Sequence, residues 1–264
     1  MSSSRPGASD TGTLRDRCRR YVVRAADAEW GALFRAVRGA LLRRRWAAVP
    51  LTLVATAAVL VFQVVQHSAG GAALVGRIGV VQASLPLWRE LLRTPLSLFV
   101  PAPDLPVWGA AAQVFLVFGI AELALGRWRT LAVAYLGSLA GTLYARNGVR
   151  LGPGSPFGLP PVDALVRDTG PSAAVVALAV CVAWRYRAWV TGGAVVLGMV
   201  LEEALLPNLA GAEHLCAIAC ALAVSGYGEV VGWQWGRTAS ALRSVLAVGP
   251  LTEQVRRTSR AAAA

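Results

Sequence analysis

The chain has 264 residues, of which 56% are apolar and only 15% charged, and it carries a formal net charge of +12. A soluble domain averages about 25% charged residues, so a water-soluble enzyme is excluded. All 26 basic residues are arginine. Such a charge on its own would suit nucleic acid, but joined to this apolar content it indicates a membrane protein with basic flanks and no nucleic-acid partner.

The first residues, Met1 to Gly12, are rich in Ser, Gly and Pro and are expected to lack structure. Trp30, Phe34, Val37 and Leu41 follow at helical spacing, with Arg35, Arg38 and Arg43 to Arg45 around them. This pattern predicts an amphipathic helix lying on an anionic inner leaflet. No secretory signal peptide is expected, because the first apolar run begins at Trp46 and is too long for an h-region.

Six apolar runs are predicted to span the bilayer. The first, Trp46 to Gln66, is uncharged for 21 residues, enough to cross a hydrocarbon core of about 30 Å. The second runs from Pro106 to Leu125 and holds one acid, Glu122, expected to anchor a loop or helix end. The third covers Thr130 to Ala145, and the fourth, Gly170 to Trp184, is short. The fifth covers Ala188 to Leu206, ending near Glu202 and Glu203, and the sixth covers Leu209 to Gly228. With both termini inside, 20 arginines fall on the cytoplasmic side and six outside, as the positive-inside rule requires. The expected organisation is a basic cytoplasmic segment over 1–45, a six-helix membrane domain over 46–232 and a basic tail over 233–264. The absence of Lys and the abundance of Ala, Gly and Arg suggest a GC-rich genome, hence a multi-pass protein of a bacterial plasma membrane.

Two polar residues stand out in the apolar runs: Ser172 in Gly170-Pro171-Ser172-Ala173, and His214 in Glu213-His214-Leu215-Cys216-Ala217. Both segments enter from the outer side, and a hydroxyl and an imidazole at matched depth are the parts of a nucleophile and its base. Gly170 allows a sharp turn into the membrane, and Pro171 suits a first helical turn. His214 lies about 200° from Cys216 at 100° per residue, so no metal site is expected, and no cofactor.

Several segments in order resemble the rhomboid family of intramembrane serine proteases and their inactive relatives. Leu87-Trp88-Arg89-Glu90-Leu91-Leu92-Arg93-Thr94 is similar to the Trp-Arg segment before the family's second core helix. Phe118-Gly119-Ile120-Ala121-Glu122 and Leu125-Gly126-Arg127-Trp128-Arg129 resemble that helix's end and turn, and Ala134-Tyr135-Leu136-Gly137-Ser138-Leu139-Ala140-Gly141 the small-residue signature of the third. Gly170-Pro171-Ser172-Ala173 stands in place of Gly-x-Ser-Gly, and His214-Leu215-Cys216-Ala217 in place of a His followed by two glycines.

The resemblance implies an all-α, six-helix membrane bundle of rhomboid type, N-in and C-in, with Ser172 and His214 as a catalytic dyad. It implies cleavage of other proteins' transmembrane segments, or, in an inactive relative, binding of client transmembrane helices. The chain departs from the family pattern at several points. The expected second-helix oxyanion donors fall on Ala111 and Val107, leaving the Ser172 backbone N–H as a lone donor, with Gly170 and Gln113 as the candidate support residues; Pro171 precedes the serine, as in inactive relatives; and Ala173 replaces a glycine.

Overall fold

The computed structural model describes residues 14–247, with side chains to 228. The Ser/Gly/Pro-rich start and the tail residues 248–264 lie outside the described residues. The fold is all-α: no strand forms among the described residues, and Val81 and Asp168 make an isolated antiparallel bridge. The contacts separate two units, Met1–Leu222 and Ala223–Ala264, and the first holds the candidate site.

The basic N-terminal segment is helical. α1 (Leu14–Ala26) passes through a π-turn at Asp27–Gly31 into α2 (Ala32–Arg44), and neither α1 nor α2 has a buried residue. Trp30 and Phe34 are exposed. A 3-10 turn at Arg45–Ala48, where Arg45 takes a positive φ of 48°, bends the chain by 55° into α3 (Pro50–Gln66). The first apolar helix thus starts at Pro50 rather than Trp46. Proline lacks the N–H an interior position would need and fits the first turn.

α4 (Gly71–Ile78) and α5 (Leu87–Ser97) follow. α6 (Val107–Gln113) and α7 (Gly119–Leu125) form one 19-residue apolar helix through a π-turn at Val114–Phe118. α8 (Arg127–Leu151), α9 (Ser172–Tyr186), α10 (Trp189–Leu205) and α11 (Leu209–Ala247) complete the fold. A helix therefore lies over each of the six apolar runs. Two, Val107–Leu125 and Leu209–Gly228, are long and apolar enough by themselves to cross a membrane, and the bent pair Leu14–Ala48 with Pro50–Gln66 makes up to three.

α9 is the central helix. Ala174, Val176, Ala177, Leu178, Val180, Val182 and Ala183 are all buried, so it is enclosed around most of its circumference. Val59 of α3, Val114 and Phe118 of the π-turn, Ala134 of α8 and Ala217 of α11 pack into the same core. α10 is the opposite case: it is apolar and has no buried residue.

Two buried acids fix the bundle's ends. Glu122 accepts hydrogen bonds from Leu51 N (3.0 Å), Thr52 N (2.8 Å) and Thr52 Oγ1 (2.8 Å), capping α3 from the end of α7. This is the anchoring role expected of it. Nearby, the Tyr186 hydroxyl donates to Ala124 O, joining the ends of α9 and α7. At the other end Glu90 of α5, fully buried, pairs with Arg146 of α8 at 2.8 Å. Arg146 also donates to Leu85 O, so the Trp88-Arg89 segment is pinned to α8, while Arg93 donates to Val80 O and ties α5 to the turn after α4.

Glu122→Ala strips the cap from α3 and leaves buried N–H groups unpaired. A loss of roughly 2 kcal/mol is expected, read as a lowered thermal midpoint in detergent micelles, with a smaller loss for Glu122→Gln. Burial raises the Glu90 carboxyl above its ordinary value of 4.5, with Arg146 opposing. The folded state then holds the proton more tightly than the unfolded chain, so this contribution is full below pH 4.5 and lost as pH rises through the folded value. Wild type should lose midpoint over that window relative to Glu90→Gln; parallel curves would contradict this.

Candidate functional site

The approach to Ser172 is built by hydrogen bonds between the 152–171 loop and the α4–α5 region. Asp168 N donates to Val81 O and Gly170 N to Ser97 O, each at 3.0 Å, and Gln82 Nε2 donates to Leu165 O at 2.6 Å. Gly170 then takes φ +121°, a conformation L side chains rarely adopt, and the chain turns into α9. Pro171 O accepts from Val175 N at 2.8 Å, closing the first turn. Ser172 is the first residue of the helix.

The depth of the site is set by a close helix crossing. A Cβ at Gly137 would lie 2.5 Å from Ala177 Cβ and 3.8 Å from Ala217 Cβ, and one at Gly141 would lie 3.0 Å from Glu213 Cβ. α8 therefore meets both α9 and α11 through small residues, as close-packed membrane helices do.

Where these helices diverge toward the loop, a cavity of about 80 Å³ opens, lined by Ser138, Thr142, Asp168, Ser172 and Glu213. Thr142 Oγ1 donates to Asp168 Oδ2 at 2.8 Å, and the Asp168 and Glu213 carboxyls are within hydrogen-bonding range of each other. Ser138 Oγ and Glu213 Oε1 are buried and have no partner. Desolvation raises the Asp168 carboxyl above the ordinary aspartate range, against the hydrogen bonds it makes to Thr142 and Glu213.

His214 does not line this cavity. Its side chain is buried, and neither Nδ1 nor Nε2 has a hydrogen-bond partner. Successive helical residues point about 100° apart, so with Glu213 Cβ against the Gly141 position, His214 lies on an adjacent face of α11. No hydrogen bond joins Ser172 to His214. Of the two supports, Gly170 lines the cavity but its N–H is engaged by Ser97 O. Gln113 is exposed and outside the cavity, whereas Ala111, about 200° round the same helix, faces the core.

Sequence reasoning missed Asp168, Glu213, Ser138 and Thr142 as parts of the site. Glu213 carried a signal, because an acid a few residues into an apolar run is as informative as the neighbouring imidazole. Asp168 gave none, since its position depends on the bridge to Val81. Among the described residues no group of three or more His, Cys, Asp or Glu is arranged to hold a metal ion.

Comparison with protein-family models, curated proteins and solved structures returns no match. The family resemblance therefore stands on the ordered motifs alone.

Gly137→Ala should destabilise by about 1–3 kcal/mol through overpacking against Ala177. Gly193→Ala meets nothing within 4 Å and should stabilise by about 0.5–1 kcal/mol through reduced chain entropy. Thermal midpoints of the two variants in micelles, moving in opposite directions, check the crossing.

Proposed function

We propose that this chain is a rhomboid-like membrane protein that binds transmembrane segments of client proteins without cleaving them. The carrying observation is that no hydrogen bond joins the two candidate groups: Ser172 lines a cavity with Asp168 and Glu213, while both nitrogens of the buried His214 ring are without a partner. A serine without a hydrogen bond to an imidazole lacks the dyad's activation, and the position where the family places a side-chain oxyanion donor is alanine at 111.

The bundle in this reading has six spans, N-in and C-in, supported by the arginine asymmetry and by a helix over each apolar run. A cleft of about 470 Å³ lined by Arg44, Arg127, Trp128 and Arg129 beside Glu122 supports contact with anionic lipid of the inner leaflet. The client seat is α10. It packs on α9 along one side and leaves Leu197, Val200 and Leu201 exposed, so an incoming helix meets an apolar face that the bundle does not cover.

Proteolysis by Ser172 and His214 is the second reading. It is favoured by the placement of Ser172 on the first helical turn, lining a cavity, with His214 adjacent in sequence to the cavity residue Glu213. One experiment separates the two. Photocrosslinkers at Leu197 and Val200, with the protein in its native membrane, should recover the same transmembrane clients from wild type and Ser172→Ala, and a fluorophosphonate probe should label neither. Probe labelling and client cleavage by wild type, both lost in Ser172→Ala, would establish the protease instead.

A further inference from the structure

We propose that the cavity beneath Asp168 is a binding site for a small monovalent cation of the sodium type, held by Asp168, Glu213 and the hydroxyls of Ser138, Thr142 and Ser172. The cavity is enclosed by α8, the start of α9 and the first turns of α11, and about 80 Å³ accommodates an ion with one or two waters.

Three observations converge. First, no ion pair joins Asp168 or Glu213 to a cation among the described residues; Arg146 is taken by Glu90, and Arg167, exposed at the rim, pairs with neither. Second, two buried oxygens that line the cavity have no partner. Ser138 is 9% exposed and Glu213 7%, and Ser138 Oγ and Glu213 Oε1 make no hydrogen bond. Buried polar atoms without partners are costly, so these two call for water or an ion in the cavity. Third, the side-chain donors are all oxygens, carboxylate and hydroxyl, with no imidazole or thiolate among them. Oxygen-only sets select hard cations over zinc, copper or iron.

Ligand supply and space decide between one and two positive charges. Calcium takes about six to eight oxygens and magnesium keeps several waters, whereas Asp168 Oδ2 is already engaged by Thr142 Oγ1 and about 80 Å³ holds an ion with one or two waters. The site is independent of whether Ser172 is a nucleophile, because its charge comes from Asp168 and Glu213.

The test uses the full chain in detergent micelles equilibrated in N-methyl-D-glucamine chloride. Replacing that salt with NaCl at constant ionic strength should raise the thermal midpoint saturably, with about one radioactive sodium bound per chain in equilibrium dialysis. Asp168→Asn with Glu213→Gln should abolish both effects. Ser138→Ala, which removes one ligand and keeps the fold's charges, should need about tenfold more sodium for half-effect and serves where the double variant fails to fold. Identical midpoints in the two salts with no sodium bound, or a sodium effect that survives in the variants, would overturn the site. A shift produced by calcium and not by sodium would overturn the monovalent assignment.

Discussion

The approach of α8 to α9 and α11 through Gly137 and Gly141 is the constraint on which the site depends. Neither position has room for a side chain without displacing Ala177 or Glu213. In lipid no hydrophobic force drives helices together, and close packing through small residues takes its place. Because α9 is held this tightly along its inner turns, its first residue, Ser172, is held at the edge of a gap rather than at a surface. The same contact fixes the rotation of α11: with Glu213 Cβ against Gly141, the orientation of every neighbouring side chain on that turn follows.

Polar ties at the two ends convert that crossing into a bundle. Glu122 supplies a carboxylate to the N–H groups that α3 leaves unsatisfied at its start, a strong use of a buried charge because each bond is charge-assisted. Glu90 and Arg146 do the corresponding work between α5 and α8. The N-terminal helices add a third tie, with Trp30 Nε1 donating to Thr191 Oγ1 at 2.8 Å and Thr191 N donating to Glu29 at 2.7 Å. These last bonds hold the first turn of α10, whose Val195, Val196 and Met199 pack half-buried against the core.

The helices were legible because long apolar runs between arginines and prolines leave few alternatives. Pro50 shows the limit at one boundary: hydropathy placed the start at Trp46, whereas a positive φ at Arg45 and a 3-10 turn delay it. Glu122 was legible as an anchor because a lone acid near a helix end has orphan N–H groups to serve. The composition of the cavity was not legible. Ser138 and Thr142 read as ordinary small residues of a packed helix, and Asp168 as loop, until the bridge to Val81 brings it over them. Rotation was also beyond the sequence: Glu213 and His214 are neighbours, and hydropathy says only that one face of α11 turns inward.

That choice of face has a physical cause. Glu213 and His214 point about 100° apart, so only one of them can face the cavity. Burying a carboxyl away from polar partners costs far more than burying a neutral imidazole. The cavity offers Glu213 the Asp168 carboxyl and nearby hydroxyls. The acid therefore takes the polar position and the imidazole is left on the flank.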